Sequence, residues 1–157
     1  MNPQRRGVVL SVVGMALVVL APSALGAGPY QYFAVTPCRA VDTRSTARVT
    51  NAAFANFTIK NVCNVPSSAV AVSLNLTVVA PTAAGYLSIW PTGGTAPNVS
   101  TMNYASGEPA IANGAIVPVG TGTPDLTLGI GPCPISCPAA SPTYQMDVII
   151  DVTGYFQ

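Results

Sequence analysis

Residues 69–79 read Ala-Val-Ala-Val-Ser-Leu-Asn-Leu-Thr-Val-Val. Val70, Val72, Leu74, Leu76 and Val78 fall on one face of an extended chain, and Ala69, Ala71, Ser73, Asn75 and Thr77 on the other. Successive side chains of a strand point to opposite faces, so this run at period two predicts a half-buried strand. Pro81-Thr82-Ala83-Ala84-Gly85 then reads as a turn, and 86–90 as a returning strand. Pro91-Thr92-Gly93-Gly94-Thr95 is a second turn. Further strands are expected at 30–35, 53–60, 98–104, 110–119, 126–130 and 145–156. No amphipathic helical pattern follows residue 26. About eight or nine short strands without helices between them predict an all-β fold: a single antiparallel β-sandwich, jelly-roll or immunoglobulin-like.

The first residues follow another pattern. Arg5 and Arg6 precede an uncharged apolar run over 8–21, broken only by Ser11 and Gly14, and then come Pro22 and the small residues around Leu25. Charge, apolar run and small residues in that order predict a signal-peptide helix cleaved after Gly26. The run is shorter than the roughly 20 residues that span a bilayer, which favours cleavage over retention as an anchor. The expected organisation is a leader over 1–26 and a sandwich over 27–157. After cleavage no membrane association is expected.

Composition narrows the chemistry. The chain has 157 residues, 50% hydrophobic and 7% charged, which excludes a disordered chain. Its formal net charge of +1 lacks the basic footprint of a nucleic-acid binder. Histidine is absent, which excludes His-dependent triads and His-ligated metals. Beyond residue 26, Arg39, Arg44, Arg48 and Lys60 face Asp42, Glu108, Asp125, Asp147 and Asp151.

Four cysteines stand at 38, 63, 133 and 137, and an even number in an exported chain reads as disulfides. Cys133 and Cys137 flank a three-residue Pro-Ile-Ser loop and are paired with each other. That leaves Cys38 with Cys63, and chain entropy assigns the longer loop roughly 3 kcal/mol and the shorter about 2. A four-thiolate metal site is the weaker reading, since Cys38 and Cys63 stand alone rather than as a close pair. Asp125, Asp147 and Asp151 are hard oxygen donors, but residues four apart on a strand lie about 13 Å apart, too far to share one ion. No metal and no cofactor are therefore expected.

Several stretches together carry a resemblance. They are Thr36-Pro37-Cys38-Arg39-Ala40-Val41-Asp42-Thr43-Arg44, Cys63-Asn64-Val65-Pro66, the alternating run 69–79, Gly85-Tyr86-Leu87, Ser100-Thr101-Met102-Asn103-Tyr104 and the closing Val152-Thr153-Gly154-Tyr155-Phe156. In this order they resemble a bacterial extracellular β-domain found in secreted proteins of actinobacteria and acidobacteria, a family with no settled activity. The resemblance implies a secreted or cell-surface bacterial protein, and it supports the Cys38–Cys63 pair. The chain departs from that family at 131–142, so the second cysteine pair is its own feature.

The sparse charges and aromatics supply the candidate sites. Arg39 and Arg44 suit structural ion pairs with Asp42 and Asp151, because guanidinium forks match carboxylates. Tyr86 and Trp90 share one face of their strand and are the candidate glycan contacts, since aromatic rings stack on sugars. Three functions are weighed. The first is a non-catalytic extracellular domain that binds cell-wall or other glycan. The second is a structural subunit that associates with itself through sheet edges or through the strand at 30–35. The third is a small glycan hydrolase using Asp42, Glu108 and Asp151.

Overall fold

The computed structural model describes residues 29–131 and 144–157. The leader with its cleavage point after Gly26, and Cys133 and Cys137 with most of the loop between the last two strands, lie outside the described residues.

The strands are β1 (Tyr32–Asp42), β2 (Val49–Thr50), β3 (Ala55–Phe57), β4 (Ala71–Val79), β5 (Gly85–Pro91), β6 (Met102–Tyr104), β7 (Ala110–Pro118), β8 (Leu126–Gly131) and β9 (Gln145–Phe156). A single 3-10 turn, Thr43–Ser45, follows β1. One sheet runs β1-β9-β4-β7 with β2 attached to β9, and the other runs β3-β8-β5-β6. All pairings are antiparallel, and β1·β9, β3·β8, β4·β7 and β5·β6 nest inside one another. A long hairpin folded back over itself in this way, its halves shared between two sheets, is a jelly roll. Of the two sandwich types expected, the nesting selects this one.

The inward residues of both sheets make the core. β4 supplies Val72, Leu74, Leu76 and Val78, and β9 supplies Met146, Val148, Ile150 and Val152. Leu87 and Ile89 of β5 and Leu126, Leu128 and Ile130 of β8 oppose them. Each such side chain contributes about 1.5–3 kcal/mol by leaving water. The alternation holds from Ala71 onward. Before it, Ala69 is buried and Val70 half-exposed, the reverse of the expected phase, because the strand begins at Ala71.

Three boundaries differ from expectation for local reasons. β1 continues past 35 to Asp42, since Pro37 sits in an edge strand and the ladder absorbs it in an irregularity between Ala34 and Cys38. β3 shrinks to three residues, because the chain beyond it turns irregularly, with Asn61, Cys63 and Asn64 all at positive φ. β6 begins only at Met102, while 92–101 forms a loop. β2, two residues long, is too short to leave a pattern in the sequence.

The two sheets differ outside the core. β8 is buried along its whole length. Its outer face at Gly129 lies under Phe54 and Trp90, where a Cβ would come within 3.1 Å of both rings. The outer face of the five-stranded sheet is open instead, and its side chains are half-buried or exposed.

Candidate functional site

Register builds the open face in rows. Arg39, Asp151, Asn75 and Gly114 are direct neighbours across β1, β9, β4 and β7. The next row is Ala34, Gly154, Ser73 and Ile116, and the one beyond is Tyr32, Phe156, Ala71 and Pro118. Paired residues point to the same side, so polar groups, a floor of small residues and an aromatic wall follow each other along one surface. Small residues in the middle rows leave two adjoining open depressions of about 500 and 540 Å³. Pro37, Cys38, Arg39 and Asp151 line the first, and Ser73, Gly114, Ala115 and Ile116 the second. Asn75 and Thr153 line both.

Ion pairs hold one end of this surface. Arg39 grips Asp151 with a fork, Nε to Oδ1 at 2.9 Å and Nη2 to Oδ2 at 3.2 Å. Its Nη1 lies 3.5 Å from Asp42 Oδ2. Asp42 in turn accepts from Arg44 Nε at 2.9 Å and Nη2 at 2.6 Å, and from the Arg44 backbone N–H at the start of the 3-10 turn. The Arg44 side chain, aided by that N–H, holds the Asp42 carboxyl down at about 2 against partial desolvation. The hydrogen bond to Asp151 raises the Arg39 guanidinium above its ordinary value. Arg48 pairs with Asp147 at 3.3 Å.

At the other end Thr153 and Ser73 share a hydroxyl bond of 2.9 Å. The Tyr32 ring lies over Gly154, where a Cβ would sit 2.4 Å from it, and its hydroxyl donates to the Thr153 carbonyl at 3.2 Å. Tyr32 is 49% exposed and packs against Phe156 with ring centroids 5.2 Å apart. Phe33 stacks on Tyr155, the next pair along, at the same distance. The Asn75 carboxamide stands between the two ends and has no side-chain hydrogen bond among the described residues. Together these groups offer a carboxylate, a guanidinium, an amide, hydroxyls and an aromatic ring on one shallow surface.

The aromatic pair expected as glycan contacts is placed differently. Trp90 is 5% exposed, its ring edge-on to Phe54 with centroids 5.1 Å apart. The loop 92–101 covers the same side of β5, where Ser88 donates to the Val99 carbonyl. A stacking contact needs an open ring face, and Trp90 has none to give. Tyr86 is half-buried and lines a smaller depression of about 190 Å³ with Asn98, Val99, Ser100 and Asn103.

The three carboxylates of the hydrolase reading do not converge. Asp42 and Asp151 are joined through Arg39, and Glu108 lies on the loop before β7, its carbonyl accepting from Ala80 N–H. Asp125 is fully buried and accepts the backbone N–H groups of Ile59 and Lys60. Cys38 on β1 is bonded to Cys63, with Cα atoms 5.6 Å apart, which ties the wall of the first depression to the loop that Asp125 holds. Among the described residues no cluster of three metal-ligating side chains occurs.

Fold and site define a disulfide-stapled jelly roll with one open sheet face. No protein-family model and no curated protein matches the chain.

Proposed function

We propose that this chain is a secreted, non-catalytic bacterial surface domain that binds glycan through the open face of its five-stranded sheet. The observation that carries the reading is the shared surface of Arg39, Asp151, Asn75, Ser73 and Thr153 beside the exposed Tyr32 ring. Sugars present neighbouring hydroxyls that both donate and accept. A carboxylate, a carboxamide and a guanidinium answer them with paired oxygens or nitrogens, while a ring covers the apolar sugar face. The proposed site is therefore on the sheet opposite Tyr86 and Trp90. The arginine partners of Asp42 and Asp151 support structural roles for those carboxylates over catalytic ones. The sequence resemblance supports the extracellular setting.

The test is a pull-down of the oxidised protein on peptidoglycan sacculi and a panel of insoluble polysaccharides. Saturable binding to at least one is expected, with a loss of tenfold or more in Asn75→Ala and in Gly114→Phe. Gly114 has no positive φ, and a Cβ there would meet only Leu74 O, at 3.9 Å, so a large side chain fills the depression without straining the backbone. Binding that survives both variants, or no binding to any member of the panel, overturns the assignment of this face.

A further inference from the structure

Three of the four sheet edges are blunted. β1 carries Pro37, Arg39 and Asp42 and two register irregularities, and β3 and β6 have three residues each. These are the devices by which sheet edges avoid pairing with other chains. β7 has only Pro118, at its last position, where one N–H is missing from the end of the edge and 110–117 keep theirs. It pairs with β4 over nine residues without a register shift, and among the described residues no strand lies on its other side. No charged residue occurs from 109 to 124. Ile116, in its outward row, is 65% exposed.

We infer that β7 is a homodimer interface, pairing antiparallel with β7 of a second copy so that two five-stranded sheets become one. The occupant is a second copy because the strand is complementary to itself. A two-fold axis at Gly114 aligns all nine residues, keeps inward side chains inward, and sets exposed Ile116 opposite small Ala112 of the partner subunit. On the inner side Val117 meets Ile111 of the partner subunit. With no charge on 109–124, the two copies bring no like charges together along about 30 Å of ladder. An isologous contact of this kind closes on itself and stops at two copies. The inference is independent of glycan binding. Where both hold, the Arg39–Asp151–Asn75–Gly114 rows of the two copies join end to end across the axis.

Sedimentation equilibrium of the oxidised protein, expressed from the full sequence, tests it. A dimer is expected, and the double variant Ala112→Lys with Ile116→Lys is expected to halve the sedimenting mass while its circular dichroism is unchanged. Register has its own readout. Opposed residues on an antiparallel pair have Cα atoms about 4.5–5.5 Å apart, within disulfide reach. Gly114→Cys is therefore expected to form a covalent dimer on oxidation, and Ala110→Cys, about 27 Å from its own copy, is not. A monomeric wild type, a dimer that survives the double variant, or equal cross-linking at 110 and 114 overturns the inference. Sedimentation of Asn75→Ala, a change on β4 away from the β7 edge, separates the two proposals: a dimer that has lost glycan binding leaves the interface intact, and a monomeric wild type that binds glycan leaves the glycan reading intact.

Discussion

Asp125 carries more of the fold than its place before β8 reveals, and its removal measures how far. The carboxylate is fully buried and has no cation beside it among the described residues; the Lys60 head, Nζ, donates to the Gly120 carbonyl at 2.7 Å instead. Ile59 N–H reaches Oδ1 at 3.0 Å and Oδ2 at 3.2 Å, and Lys60 N–H reaches Oδ2 at 2.9 Å. The same residue's backbone joins three segments, donating to Phe57 and accepting from Thr92 and Gly120. A hydrogen bond to a charged acceptor is worth about 1.5–3 kcal/mol, so two donors give about 3–6 kcal/mol gross. Asp125→Ala also relieves the burial of a charge, which offsets part of that. The expected net loss is about 3 kcal/mol. Asp125→Asn keeps one acceptor oxygen but turns an NH₂ toward the second donor, and is expected to cost about 2 kcal/mol.

Urea unfolding with the disulfide intact is the assay. For a slope of about 1.5 kcal/mol/M, the midpoint falls by about 2 M in Asp125→Ala. Glu108→Ala, at a half-buried loop position, is the control and is expected to stay within about 0.5 kcal/mol. Hydrogen exchange supplies the local readout: the Ile59 and Lys60 amides lose protection beyond the global change. A midpoint shift below about 0.5 M, with those two amides still protected, would refute the reasoning, because the loop would then have another source of order.

Other outcomes follow from the same geometry. Replacing Cys38 and Cys63 by alanine opens a loop of sequence separation 25 and is expected to lower stability by about 3.5 kcal/mol, read from the urea midpoint. Carbon-detected titration is expected to place the Asp42 carboxyl at about 2, and Arg44→Gln to move it up toward the ordinary 3.8, since the Arg44 side chain is the main cause. Because its folded value is depressed, the Asp42 contribution to stability is present above about 3.8 and is lost as pH falls through 2. Burial pushes the Tyr104 hydroxyl up to about 12, so phenolate absorbance is expected to show one tyrosine titrating about two units late. That group favours the folded state below its ordinary value of 10, and the preference is lost as pH rises through 12. Gly154→Ala is expected to push the Tyr32 ring off the sheet, seen as loss of its ring-current shifts, with a small stability cost because the ring is half-exposed and can swing.

What is legible in the chain and what is not divide along a physical line. Period two is a local signal, and it locates β4, β5, β7, β8 and β9 to within a residue or two, along with the core residues they bury. The charged residues are few enough that Arg39, Asp42, Arg44 and Asp151 stand out, and their pairing follows from the fit of guanidinium to carboxylate. Register is not local. Nothing near Asn75 reveals that Asp151 and Gly114 flank it, because they reach it from strands that fold back from far along the chain. The polar side of the 69–79 alternation is the available signal for Ser73 and Asn75, and by itself it reads only as the solvent face of a strand.

The aromatic residues make the same point from the opposite side. Alternation correctly puts Tyr86, Ser88 and Trp90 on one face of β5, but a face is a binding surface only if nothing covers it. Phe54 and the loop 92–101 cover this one, and neither is coded in the 86–90 pattern. Gly129, missing a side chain beneath Phe54 and Trp90, is the trace of that cover in the sequence. On the other sheet Gly154 is its counterpart under Tyr32, and there the ring stays half in solvent. Gly129 and Gly154 therefore mark where rings cross a sheet, and exposure decides which of those rings a ligand can meet.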